Sequence, residues 1–292
     1  MAEEPIAWVD THIHLFNRAK LTYSWLETVG EPWTGMLGDY RPLADRGDYT
    51  LDDYLAEAAP TRVAKIVHAE AAFGSDPAAE PTWLQSLADL GRIPIAVVGH
   101  AQLDAPDVAE TLDRQCANAS FRGVRMMGGA AAAESPALRT GFAELARRGL
   151  CFEEPFAQES LAGLSILARD FPDARIVIGH CGMPMRRDAE GLAAWRAAMR
   201  QLAQFGNVQC KISGLRMTDH DWTYESMRTV VETVIELFGT GRCFFGSNWP
   251  VDSLYRGSFA DLVDVYRRII APYSRDEQEG LLNGNASRFY RF

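Results

Sequence analysis

Lysine is scarce in this chain of 292 residues: Lys20, Lys65 and Lys211 stand among 29 basic residues. The 39 acidic residues bring the net charge to −10, which argues against a nucleic-acid or anionic-membrane partner because both need a basic face. Nearly all the positive charge is arginine, whose planar guanidinium binds carboxylates better than an ammonium group does.

Several other features are missing. No run of 18 apolar residues occurs, so a membrane span is not expected, and the first residues lack the basic start and apolar core of a signal peptide. Five scattered cysteines without a C-x-x-C pair predict reduced thiols in a cytoplasmic protein. The first predicted strand has no G-x-G-x-x-G behind it, which disfavours a doubly wound dinucleotide-binding fold.

Eight short segments rich in Val, Ile, Phe or Cys predict β-strands. They are Ala7–His14, Val63–Ala71, Ile93–Ala101, Phe121–Met127, Leu150–Phe156, Ala174–His180, Val208–Gly214 and Arg242–Trp249. Helical periodicity marks Thr50–Ala59, Leu138–Arg148, Leu161–Phe171, Ala189–Phe205, Tyr224–Phe238 and Phe259–Ile270. This alternation predicts an α/β fold, a single (β/α)8 barrel domain over residues 1–292. The long stretch 15–49 is predicted to be a loop over the barrel mouth.

Histidines gather at the predicted carboxyl ends of the strands, where such barrels carry their active sites. A strand periodicity of two places His12 and His14 on one face. The apolar face that carries Val9 should pack on the helices, so both imidazoles should point inward. His180 ends the sixth predicted strand and Asn248 lies near the end of the eighth. Converging imidazoles are typical of a metal chelate or of an electrophilic site for a carbonyl oxygen.

Short motifs recur in order along the chain. They are Asp10–Phe16, Tyr23–Leu26, Val67–Ala71, Gly123–Arg125, Gly179–Pro184, Lys211–Leu215, Phe245–Asp252 and Asn285–Tyr290. Together they resemble the amidohydrolase superfamily, in the amidohydrolase-2 branch that contains lactonases of sugar lactones, of 2-pyrone-4,6-dicarboxylate and of 4-sulfomuconolactone. The resemblance implies a barrel that hydrolyses the ring ester of a small organic lactone. The sequence leaves a homo-oligomer open.

The resemblance also implies roles for three histidines. His12, His14 and His180 match the family's catalytic histidines, which hold one divalent metal (zinc or manganese) in some members and work without a metal in others. A metal would polarise the lactone carbonyl or lower the pKa of a bound water, whereas imidazoles alone would supply the polarisation themselves. A metal-dependent decarboxylase of the same superfamily is the alternative reaction, although such enzymes also rely on an aspartate in the eighth strand.

The eighth strand departs from the family pattern, because Asn248 stands where the family has the aspartate that takes a proton from the attacking water. An amide cannot act as that general base. Three accounts are open. Asn248 orients the water while Asp252 is the base; or Glu70, at the end of the second strand, supplies the carboxylate; or the chain does not hydrolyse lactones and is a different enzyme or a ligand-binding barrel.

Four further side chains are predicted to bind the substrate: Arg125, Lys211, Trp25 and Trp249. An inward arginine at a barrel mouth suits a substrate carboxylate or ring oxygen, with a structural ion pair as the alternative. The two tryptophans offer an apolar wall for a ring or plain packing. Lys211 has its own structural alternative, a pair with an acid inside the barrel, for which the candidates are Glu153, Glu154 and Glu70.

Overall fold

In the computed structural model, which describes residues 4–292, eight strands form one sheet in sequence order. They are β1 Trp8–Ile13, β2 Val63–Ala69, β3 Ile95–His100, β4 Phe121–Arg125, β5 Cys151–Glu154, β6 Arg175–Ile178, β7 Val208–Ile212 and β8 Cys243–Phe245. Each strand pairs in parallel with the next along the chain. The predicted (β/α)8 barrel is therefore confirmed.

The barrel closes where the first and last strands meet. The backbone N–H of Asn248 donates to the carbonyl of His12 at 2.7 Å, and the N–H of His14 donates to the carbonyl of Trp249 at 2.8 Å. Gly246 permits this approach, because a Cβ there would lie 2.8 Å from the Cβ of His12. Closure thus sets the histidine-bearing strand directly against the segment that carries Asn248.

Helices surround the sheet. Those in the described residues are α1 Ser24–Glu27, α2 Trp33–Leu37, α3 Arg41–Asp45, α4 Leu51–Ala58, α5 Ala79–Ala88, α6 Val108–Cys116, α7 Pro136–Arg147, α8 Leu161–Asp170, α9 Ala189–Leu202, α10 Tyr224–Phe238, α11 Phe259–Ile270, α12 Arg275–Glu279 and α13 Asn285–Tyr290. The six predicted helices are all present. The sequence pattern did not predict α5 or α6, and in α5 Pro81 is a helix-breaking signal that the first turn tolerates.

The long segment after β1 lies over the barrel mouth, as predicted, but it is not simply a loop. It contains α1, α2 and α3, and Trp25 and Leu37 from this segment line the cavity at the carboxyl ends of the strands. Helices of four or five residues are too short to produce a readable periodicity, so the sequence pattern could not reveal them.

The face predicted for Val9 is wrong. Val9 packs with Phe244 and other inward strand residues in a cluster inside the barrel, against the C-terminal Tyr290. Between Asp10 and Ile13 the register against β2 shifts by one residue, which is the signature of a β-bulge. In a regular strand Val9 and His12 would lie on opposite faces. The extra residue reverses the alternation, so both residues lie inside the barrel.

All five cysteines are free thiols, as predicted, and four of them are buried. Across residues 4–292, no helix combines the length and the apolar character that a membrane crossing requires.

Candidate active site

A cavity of about 490 Å³, a volume that includes its open mouth, lies at the carboxyl ends of the strands. Its polar lining consists of side chains that the sequence pattern had singled out: His14, Glu70, Arg125, His180 and Asn248. These come from the ends of five different strands, so the barrel brings together groups that are up to 234 residues apart in the chain. Trp25 also lines this cavity.

The three histidines form one buried cluster. The ring centroid of His12 lies 4.9 Å from that of His14 and 4.4 Å from that of His180. His14 Nδ1 is 2.9 Å from the carbonyl of Ala69, and His180 Nδ1 is 2.9 Å from the hydroxyl of Ser213. A carbonyl can only accept, so His14 carries its proton on Nδ1 and presents the lone pair of Nε2.

The histidine cluster is uncharged near neutral pH. Burial is the largest cause that lowers the pKa of His12, His14 and His180 well below the ordinary value. The positive charges of Arg125 and Lys211 lower the pKa of His180 further. The rings therefore act as neutral donors and acceptors, and they are weak bases.

The chain holds His180 and Asn248 in unusual backbone conformations. Their φ angles are 50° and 59°, in the left-handed region that non-glycine residues rarely adopt. Gly214 leaves room for the histidine, because a Cβ on Gly214 would lie 2.5 Å from His180 Nδ1. Strained residues of this kind concentrate at functional sites, where the surrounding structure enforces them.

Behind the cavity, the amide of Asn248 is held by a carboxyl group. Asn248 Nδ2 donates to Asp252 Oδ1 at 2.8 Å. Asp252 is fully buried, and burial raises its pKa to about 7 although Asn248 and Arg216 oppose that rise. Asp252 is not among the cavity-lining residues in the described part of the chain, so it acts on the cavity only through Asn248.

Asn248→Asp is expected to lower the free energy of unfolding at pH 8 by about 3 kcal/mol, because two buried carboxyl groups in contact must share a proton. The folded-state pKa of the added carboxyl then lies above its unfolded value of about 3.9. The folded protein binds more protons than the unfolded chain, so its stability falls as pH rises above that value. Urea unfolding at pH 5 and pH 8 measures the difference.

The matched control reverses the pair. The double variant Asn248→Asp/Asp252→Asn keeps one amide and one carboxyl in contact and should recover most of the stability at pH 8. Equal destabilisation of Asn248→Asp at both pH values would contradict the shared proton.

Glu70 is the carboxylate that faces the cavity directly. Its side chain is 2% exposed, and Oε1 has no hydrogen-bond partner. Oε2 lies 3.1 Å from His100 Nδ1, and this neighbouring carboxylate raises the pKa of His100. The side chain of His100 is 39% exposed. Glu70 therefore combines one unpaired carboxylate oxygen with a partly exposed histidine beside the other oxygen.

Lys211 pairs with an acid inside the barrel, which is the structural alternative to substrate binding. Lys211 Nζ lies 2.7 Å from Glu153 Oε2, and both side chains are fully buried. The other oxygen of Glu153 is 3.4 Å from His12 Nδ1. The Lys211–Glu153 pair thus contacts the histidine cluster at His12. Within residues 4–292, Lys211 is not part of the cavity lining.

Trp249 also lies outside the lining of the cavity as the described residues define it. Its indole N–H donates to the carboxylate of Glu57, and its ring packs edge-on against Phe259 at 5.2 Å between centroids. These are packing contacts, the other interpretation that the sequence had left open.

Two buried charged residues were not singled out by the sequence pattern. Glu80 accepts hydrogen bonds from the backbone of Ala71 and Ala72 at 3.0 and 3.1 Å, and burial raises its pKa to about 8. Arg216 is fully buried and donates to the carbonyl of Gly257 at 3.2 Å. The apolar neighbours of Arg216 in the sequence were a usable signal, whereas Glu80 lies on the helix that was missed.

The imidazoles at the cavity are of the type that holds a divalent cation in proteins. Tethering through Nδ1 suits a metal-binding histidine, but Asn248 replaces the carboxylate and the charge of Arg125 acts on both His14 and His180. Within residues 4–292, no three His, Cys, Asp or Glu side chains lie at metal-ligand spacing. In this geometry the donors do not form a divalent-cation site, so no catalytic step is assigned to a metal. Metal binding by His12, His14 and His180 stays a prediction.

Comparisons with known proteins agree with the barrel. An uncharacterized protein, y4mH, of Sinorhizobium fredii is 37% identical over 299 residues, with 98% of this chain and 99% of that protein covered. An L-fucono-1,5-lactonase of Burkholderia multivorans is 29% identical, with 97% and 95% covered. The crystal structure of an amidohydrolase from Burkholderia multivorans with bound zinc has a TM-score of 0.82 at 26% identity, with 98% and 99% covered. A family model described as amidohydrolase matches residues 9–292, and the chain therefore belongs to the amidohydrolase family of hydrolases.

Proposed function

We propose that the protein hydrolyses the ring ester of a small organic lactone. The supporting observation is that one cavity is lined by two neutral imidazoles, a guanidinium and a carboxylate with a free oxygen, on His14, His180, Arg125 and Glu70. Ester hydrolysis needs an acceptor for the water proton and donors for the developing oxyanion. The lactonase name of a relative that matches nearly the whole chain supports the same reaction class.

Arg125 supplies the donors in this proposal. It is 7% exposed, its Nε has no hydrogen-bond partner, and Nη2 lies 3.6 Å from the sulfur of Met127. A buried guanidinium with unused N–H groups stabilises an oxyanion better than it stabilises a neutral carbonyl. His180 assists if the hydroxyl of Ser213 donates to its Nδ1, because the ring proton then lies on Nε2.

His14 and Glu70 orient and deprotonate the water in this proposal. The lone pair of His14 Nε2 accepts one hydrogen bond from the water, and Glu70 Oε1 accepts the other proton. As the water oxygen bonds to the carbonyl carbon, that proton passes to Glu70. The ring C–O bond then breaks, and Glu70 returns the proton to the departing alkoxide, which leaves a hydroxy acid. His100 keeps Glu70 oriented through Oε2.

Lactone hydrolysis releases an acid, so a pH-indicator screen tests this function. The panel contains sugar lactones, muconolactones, pyrone dicarboxylates and alkyl δ-lactones, each with chelator, with added zinc and with added manganese. We expect turnover of at least one lactone, and His180→Ala should reduce kcat/KM by about 100-fold or more, the loss typical of an oxyanion-site residue.

Two results would contradict the proposal. One is the absence of turnover for every lactone under every metal condition. The other is release of carbon dioxide from an aromatic acid with manganese present, which would support the decarboxylase alternative.

A further inference from the structure

The wall of the cavity is mainly apolar: 12 of its 17 lining residues carry no polar side-chain group apart from tryptophan N–H. Large side chains from the segment over the mouth and from the strand ends face one another across it: Trp25, Trp33, Phe73, Met127, Phe156 and Met217. The ring of Trp33 contacts those of Trp25 and Phe73 at 5.5 and 5.7 Å between centroids. This aromatic group forms a continuous surface beside the polar residues.

Few polar atoms in this wall are free to bind a ligand. The indole N–H of Trp25 donates to the carbonyl of Ala71 at 3.0 Å, and the amide of Asn248 is bound to Asp252. Within residues 4–292, the lining side chains that keep free polar atoms are those assigned above to the chemistry, together with the indole N–H of Trp33 and the amide oxygen of Asn248. Most hydroxyl groups on a polyhydroxylated substrate would therefore lose water without gaining partners, which weakens binding.

We infer that the substrate is a lactone with an apolar alkyl or aryl body and few hydroxyl groups, rather than a polyhydroxylated sugar lactone. This inference rests on the proposed lactone hydrolysis. Four methionines line the cavity, Met36, Met127, Met183 and Met217. Their unbranched, polarisable side chains adapt to ligands of different shape, so a homologous series of substituents should be accepted.

The first experiment measures kcat/KM for δ-valerolactone and for its 5-methyl, 5-propyl and 5-pentyl derivatives. Each buried methylene should raise kcat/KM about fourfold until the cavity is filled. L-Fucono-1,5-lactone, which has several hydroxyl groups, should lie about 100-fold below the best alkyl lactone. A flat or falling alkyl series, or a preference for the sugar lactone, overturns the inference while leaving lactone hydrolysis intact.

A matched pair of variants ties the effect to the wall. Met36 lies in the cavity lining and is half-buried, whereas Met185 is 44% exposed and outside it. The ratio of kcat/KM for the 5-pentyl derivative to kcat/KM for δ-valerolactone measures the benefit of the alkyl chain. Met36→Gln should reduce this ratio at least twofold. Met185→Gln, the same change of side chain, should leave that ratio as in the unmodified protein. Equal effects of the two variants would overturn the role of the wall.

Binding separates failure of the inference from failure of the proposed function. The corresponding alkyl δ-lactams are not hydrolysed, and Trp25 and Trp33 report their binding through fluorescence quenching. Lactam Kd values that fall along the series without hydrolysis of any lactone would support the apolar ligand class and contradict the hydrolysis. Lactam Kd values that do not change along the series would overturn the inference whether or not lactones are hydrolysed.

Discussion

Replacement of Lys211 by methionine is expected to lower the free energy of unfolding by about 3–5 kcal/mol, because it leaves the carboxylate of Glu153 buried without its partner. Both side chains are fully buried and their charged atoms are 2.7 Å apart. Methionine is close to lysine in length, so a cavity contributes little. Urea unfolding at pH 7, with the slope checked for two-state behaviour, measures the loss.

Two further variants separate the charge from the side-chain change. Lys211→Met/Glu153→Gln removes both charges and should recover more than half of the lost stability, since replacing a whole buried pair by neutral groups costs far less than breaking it. Lys20→Met makes the same change at an exposed lysine and should stay within about 0.5 kcal/mol. A loss in the double variant as large as in Lys211→Met would contradict the proposed charge effect.

Buried charges of this kind mark the limit of what the sequence could predict. The strand ends that carry His14, His180 and Asn248 followed from the alternation of strands and helices, because a parallel barrel brings all carboxyl ends to one mouth. The sequence pattern could not decide whether Lys211 faces the substrate or pairs with Glu153. Lys211 and Glu153 both lie on inward faces of their strands. Only the three-dimensional register of the strands decides which acid an inward lysine reaches.

The first strand shows a second limit. A regular alternation predicted His12 inside and Val9 outside, and the structure places both inside because a bulge falls between Asp10 and Ile13. A bulge adds one residue without changing the apolar pattern of the strand, so its position cannot be read from the pattern alone. His12 was placed correctly because the residues beyond the bulge alternate between the two faces as predicted.

Glu70→Gln is expected to reduce kcat for the best lactone substrate by about 100- to 10,000-fold, the contribution of a general base. Of the three accounts opened by Asn248, the geometry favours this one, because Glu70 lines the cavity with a free oxygen whereas Asp252 lies behind the amide. Glutamine keeps the size of the side chain and removes the proton acceptor. The Kd of a non-hydrolysable lactam should change less than threefold, since the apolar wall is intact.

Glu80→Gln is the matched control for that loss. Glu80 is also a buried glutamate, and burial together with Glu70 raises its pKa to about 8, so its carboxyl is mostly protonated at pH 7. Glutamine then replaces one neutral group by another and still accepts from the backbone of Ala71, and kcat at pH 7 should stay within about threefold. If Glu70→Gln retained the activity and Asp252→Asn lost it, Asp252 would instead be the base and Asn248 would only orient the water. In that case the pKa of about 7 at Asp252 should appear in the pH–rate profile as an activity that rises from pH 6 to pH 8, because only the ionised carboxylate can accept the proton.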